Sequence, residues 1–148
     1  MSVPHPGGDP NANLYAQLKH DVLDRVPQIT AVEFVPDRIK ARRLRATFDP
    51  ARLDPATGPE PPTLVVAWYR QEPYDWFRVD YTDPNTGFHA GWHQDKDHPD
   101  LGRTHFQYTT DGETGRWGID FGHETPSLIL WELVDSLLAE IHPTHNPL

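Results

Sequence analysis

YDWFRVDYTDPNTGFHAGWH, residues 74–93, decides the fold. Tyr74, Trp76, Arg78 and Asp80 alternate with Phe77, Val79 and Tyr81, the period-2 signature of a half-buried strand. Asp83 to Gly87, DPNTG, has the composition of a tight turn. FHAGWH, residues 88–93, can then return as the hairpin partner. Strands joined by so short a turn pair antiparallel.

The same grammar extends in both directions. TLVVAWYR, residues 63–70, is a near-continuous β-branched and aromatic run and reads as a central strand. Before it, DPARLDPATGPEPP (49–62) holds five Pro and one Gly and reads as a long loop. IKARRLRATFD, from Ile39, reads as a strand with Ile39, Ala41, Arg43 and Arg45 on one face and Arg42, Leu44, Ala46 and Phe48 on the other; a helix is the alternative, and Thr47-Phe48 favours the strand. ITAVEFVP, from Ile29, is β-branched and reads the same way. After the central hairpin, RTHFQYTT reads as a strand, DGETG as its turn and RWGIDF as the returning partner.

Helices bracket the strands. Over residues 13–26, Leu14, Leu18, Val22 and Val26 recur every four positions, widened by Tyr15 and Leu23. Asn13 is the expected cap and Pro27 the stop. Near the other end Thr125-Pro126-Ser127 opens a helix, with Thr125 as N-cap and Pro126 in the first turn, where its missing N–H costs nothing. Leu128, Trp131, Leu133 or Val134, Leu138 and Ile141 form its expected apolar face, and Pro143 lies beyond its end. The expected architecture is α+β: an antiparallel sheet of about six to seven strands flanked by an N-terminal and a C-terminal helix. Residues 13–142 form the single expected domain, with a disordered tail over 1–12 and a short tail over 143–148.

Composition narrows the chemistry. The chain has 148 residues and no Cys, which removes disulfides, thiolate metal sites and cysteine nucleophiles. The N-terminus shows no basic region followed by an apolar one, and LILWELV, broken by Glu132, is far short of a membrane span, so the expected location is the cytoplasm, away from membranes. The formal net charge is −9; of 13 basic residues ten are Arg, and of 22 acids fifteen are Asp. An Asp-rich, Lys-poor chain resembles the proteins of salt-loving archaea, whose carboxylates hold water while salt screens their repulsion; Arg-for-Lys codon bias in a GC-rich genome is the alternative. In an ordinary cytoplasm such a charge argues against general nucleic-acid binding; at high salt only local Arg clusters count.

WHQDKDHPDLGRTH, residues 92–105, concentrates the titratable groups. If DHPDLG joins two paired strands, His93 ends one, His105 begins the next, and the two approach across the ladder. His98 and Asp95 sit on the connection. Three readings are open. His98 and His105 can serve as acid and base in cleaving a phosphodiester, with His93 beside them, Asp95 as orienter and Arg103 holding the phosphate. His93, Asp95, His98 and His105 can instead bind a divalent ion, although the expectation is no metal and no cofactor. Or the segment is a solvated polar turn. Asp120 and His123, in IDFGHE, complete the site if their strand pairs with residues 104–109; the letters DFG carry no kinase meaning without a glycine loop or a strand Lys. Arg43 and Arg45 on one strand face, extended by Arg70 and Arg78, form a candidate phosphate-backbone contact, with Arg43, Arg45 and Arg78 as the core of the patch. Among Trp68, Tyr69, Tyr74, Trp76, Phe77, Tyr81 and Trp92, one or two can stack a base and the rest are core.

Residues 76–105 resemble the TumE family of small toxin-like proteins. Tyr81, the turn Asp83 to Gly87, Asp95, His98, Pro99 and His105 take the places of that family's aromatic strand, hairpin turn, Asp-x-x-x-His-Pro segment and following His. Asp97-His98 stands where the family carries paired histidines before Pro, and Thr104-His105 where it carries a His-x-His, each reduced here to one histidine. The resemblance implies the toxin half of a toxin–antitoxin pair acting on RNA, with a helix-turn-helix antitoxin as partner. A homodimer is the other partnership considered, and a non-enzymatic protein-binding or regulatory module is the alternative function.

Overall fold

Alternation along each strand and hairpin-length connections between them build a single seven-stranded sheet. In the computed structural model, which describes residues 10–110 and 112–141, the order is α1 (Pro10–Arg25), β1 (Ile29–Val35), β2 (Arg43–Phe48), β3 (Thr63–Tyr69), β4 (Trp76–Thr82), β5 (His89–Gln94), β6 (Thr104–Thr110), β7 (Glu113–Ile119) and α2 (Pro126–Ser136), with wider π turns over Leu137–Ile141. The strands lie side by side in chain order, each antiparallel to the next. The fold is α+β, as the patterning implied. No helix among the described residues is long and apolar enough to cross a membrane.

The register explains the core. Phe34, Leu44, Val66, Val79, Trp92, Phe106 and Trp117 face one another in a single row across all seven strands. Trp68 stacks on Phe77 in the same layer, with ring centroids 4.3 Å apart. Both helices pack on this face. From α1, Tyr15, Leu18 and Val22 are buried, and from α2, Ile129, Leu130, Leu133 and Val134. The Tyr15 hydroxyl donates to the Arg42 carbonyl at 2.6 Å and accepts the Trp68 N–H at 3.0 Å, fixing α1 to the second and third strands. Ser127 donates to the Asp21 carboxylate and ties α2 to α1.

Several boundaries differ from the sequence reading. Helix α1 starts at Pro10, so Asn13 lies inside it rather than capping it; proline, with its fixed φ, opens a helix as well as Asn caps one. Positions 10–12 of the expected tail are therefore helical, and its positions 1–9, like the tail over 143–148, lie outside the described residues. The strand expected from Ile39 begins at Arg43: the Asp37 carboxylate accepts the N–H groups of Ile39 and Lys40 and makes a turn there, leaving Ile39 84% exposed. The buried face of α2 is Ile129–Leu133–Leu137 with Leu130 and Val134, one position round from the expected Leu128–Trp131 stripe; a helix apolar on most sides does not declare its buried face. The run Thr63–Tyr69 is covered on one side only, with Leu64, Val66 and Trp68 buried and its odd-numbered residues half-buried.

Candidate functional site

Because both helices pack on one side, the other face of the sheet lacks helical cover among the described residues, and strand alternation determines what it carries. Strand β4 contributes Trp76, Arg78, Asp80 and Thr82. Strand β5 contributes His89, Gly91 and His93, and β6 contributes His105, Gln107 and Thr109. Register sorts them into rows. Arg78, His93, His105 and Gly118 lie opposite one another, and the next row holds Asp80, Gly91, Gln107 and Arg116.

Asp80 is the hub. Its Oδ1 lies 2.8 Å from His93 Nε2 and 3.0 Å from His89 Nε2. The carboxylate reaches both rings only because position 91 has no side chain: a Cβ there would lie 2.5 Å from Asp80 Oδ1 and 2.8 Å from His93 Nε2. Burial pushes the Asp80 carboxyl up, but the hydrogen bonds and charge of His89 and His93 outweigh it and hold the group well below the ordinary carboxylate range. Asp80 is therefore ionised at neutral pH, and each histidine presents an Nε2–H to it.

His105 lies beside this hub. It is 2% exposed, and its ring stands edge-on to His93 (5.2 Å between centroids, 87°) and to His98 (4.8 Å, 79°). Its Nε2 is buried with no hydrogen-bond partner among the described residues. Burial, then the charge of His93, pulls its pKa below the ordinary imidazole value, so His105 is neutral at pH 7. The segment from Asp95 to Gly102 closes over it. Arg78 holds that segment through Nε to Asp95 and Nη2 to Asp97, each at 3.2 Å. At the far end the Leu101 carbonyl rests on Gly118, where a Cβ would lie 2.2 Å from the oxygen.

The expected cluster of His93, His98, His105 and Asp95 thus comes together, and the β5–β6 pairing that brings it together is the expected one. Arg103 does not join it. It precedes Thr104, which faces the helices, and its guanidinium lies over Tyr74 at 4.7 Å and pairs with Glu124 at 3.3 Å. Asp120 and His123 follow it: β7 does pair with β6, but beyond Ile119 the chain turns to the helical side, where Arg103, Asp120 and His123 line a separate cleft of about 240 Å³. The guanidinium nearest the cluster's row is Arg78, which lies opposite His93 and is held by Asp95 and Asp97.

Arg43, Arg45 and Arg78 share the uncovered face without forming a continuous basic patch. Arg45 pairs with Glu33 at 3.0 Å, its cross-strand row leads to Asp80, and Arg78 already holds two carboxylates. Among the described residues no three His, Asp or Glu side chains are placed to hold one metal ion. Asp80, His89 and Gly91 are the members the sequence reading missed. Counting back from the Asp83–Gly87 turn pairs position 80 with 91 and 82 with 89, so HxGxH (His89, Gly91, His93) opposite an Asp was the available signal. No family model, curated protein or solved structure matches the chain.

Proposed function

We propose that this chain is a small toxin-like protein that cleaves RNA through the uncovered sheet face, with an antitoxin protein as its natural restraint. The observation that carries the reading is His105, a neutral histidine whose buried Nε2 has no hydrogen-bond partner among the described residues, set between His93 and His98, with Arg78 across from His93 in the same row. His105 acts as base, taking the proton of a ribose 2′-hydroxyl as its oxygen attacks the adjacent phosphorus. His98 acts as acid, giving a proton to the departing 5′-oxygen. The products are a 2′,3′-cyclic phosphate and a 5′-hydroxyl. Arg78 neutralises the phosphate, and Asp80 fixes the His93 ring against which His105 packs. A phosphate on Arg78 competes with Asp95 and Asp97, the carboxylates tethering the covering segment, so substrate binding and exposure of His105 are linked.

The test is incubation of the purified protein with end-labelled single-stranded RNA in molar salt and chelator. Cleavage leaving cyclic-phosphate ends, abolished by His105→Ala, is expected; intact RNA at all salt concentrations sinks the proposal. A second reading, a non-enzymatic binding module, draws on the ion pairing of Arg45 and Arg78. It expects partner binding that survives replacement of both His98 and His105.

A further inference from the structure

The uncovered face carries one aromatic pair beside the Arg78–histidine row. Tyr69 and Trp76 are cross-strand neighbours at the start of β4, with ring centroids 5.1 Å apart and planes at 45°. Both rings are half-buried and lie on the side opposite the helices. The next residue along β4 on that face is Arg78, roughly 7 Å further by strand rise. This is comparable to the reach from a stacked base to the phosphate of its own nucleotide. Beside this track β3 presents Ala67 opposite Arg78 and Val65 opposite Asp80, small side chains that leave the floor low. Across from Arg78 stands His93, and beyond it His105.

Stacking, phosphate and histidine positions therefore follow in order across one surface. We propose that Trp76, backed by Tyr69, is a base-stacking subsite that, with Arg78, binds one nucleotide of an unpaired strand and sets its phosphate beside His93 and His105. The inference rests on the RNA reading and adds a substrate class to it. The base must be free to leave its neighbours and lie on the indole, so the substrate is single-stranded, and the subsite accepts any base with a preference for purines.

Trp76 touches substrate but not the reacting atoms, so its loss weakens binding more than turnover. The experiment uses the full chain and a labelled eight-residue oligoadenylate, followed by anisotropy and by cleavage. Trp76→Ala should weaken binding about tenfold, the size of a single stacking contact, while Trp76→Phe stays within about threefold. Moving one abasic residue along the oligonucleotide should find one position where the missing base costs as much as Trp76→Ala. There the two losses should not add. Additive losses, or equal binding of duplex and single strand, overturn the subsite even if RNA is cleaved.

Adenosine monophosphate titrated against the indole N–H resonance of Trp76 separates the two proposals. A shift at Trp76 without any RNA cleavage keeps the subsite and removes the cleavage reading. No shift and no RNA binding remove both.

Discussion

Gly91→Ala isolates the geometry on which the polar cluster depends. The added methyl would lie 2.5 Å from Asp80 Oδ1 and 2.8 Å from His93 Nε2, so carboxylate and ring must part. Two hydrogen bonds to an ionised group are at stake, at 2.8 and 3.0 Å. Each is worth about 1.5–3 kcal/mol when shielded. Asp80 keeps 31% of its side chain exposed, which reduces the pair to about half that sum. Alanine returns ~0.5–1 kcal/mol through the entropy that glycine loses in a strand. The net expectation is destabilisation by about 1–2 kcal/mol, or ~2–8 °C in thermal midpoint for a chain of this size. The assay is denaturation of Gly91→Ala, Asp80→Ala and the double variant, with ¹⁵N spectra reporting the protonated nitrogen of His89 and His93. In the double variant the methyl meets no carboxylate and only the His93 ring, which is then free to move, so the cost of Gly91→Ala should shrink markedly. Equal stability of Gly91→Ala and the parent, with both rings still protonated at Nε2, would refute the argument that the missing side chain makes the contact.

Three further outcomes follow from the same contacts. His105 titrates below the ordinary imidazole value, so as pH falls below about 6.5 the unfolded chain takes up its proton first and stability drops toward the folded-state pKa; His105→Leu should lose less than the parent between pH 7 and 5 in urea midpoint. The lowered carboxyl of Asp80 gives stability that is present above about pH 3.8 and lost as pH falls below it toward the folded-state pKa, so the gap between the parent and Asp80→Asn should narrow in acid. Ser127→Ala removes the hydroxyl donor between the helices and leaves the Asp21 carboxylate, 9% exposed, with Gln17 as its remaining side-chain donor, costing about 1–3 kcal/mol in the same denaturation assay.

What the sequence reveals here depends on the range of each contact. Period-2 alternation and turn composition act over a few residues, so the hairpins, the sheet and the meeting of His93 with His105 are legible from Trp76 to Ile119. The buried face of α2 is not, because Leu128, Ile129, Leu130, Trp131, Leu133 and Val134 offer more than one apolar stripe and only packing against Val22 and Val26 of the first helix region chooses. Arg103 was misplaced for a related reason. Its neighbour His105 points to the uncovered face, and proximity in sequence suggested a shared pocket, yet at the strand entry Arg103 turns to Tyr74 and Glu124. Alternation alone marks Asp80 only as one polar residue on a strand, although its partners are fixed by the same turn that identifies the hairpin.

Ionic strength decides how Arg78 can be used. Its two carboxylates are unlike: Asp95 has 4% of its side chain exposed, Asp97 63%. Salt screens exposed charges over a few ångströms and shielded ones far less, so at high ionic strength the Asp97 contact weakens first while Asp95 stays on Nε. The Nη2 edge is then free for a phosphate, with the guanidinium still oriented by the buried partner. The same salt also weakens every phosphate contact. On the proposed RNA reading, recognition under those conditions rests on contacts that carry no net charge, such as a base on the Trp76 ring and neutral His105 meeting a hydroxyl. An acidic protein with few unpaired cations on this face can engage RNA only if those uncharged contacts dominate. Raising the salt should then reduce affinity less than it does for proteins that bind RNA through lysine and arginine alone.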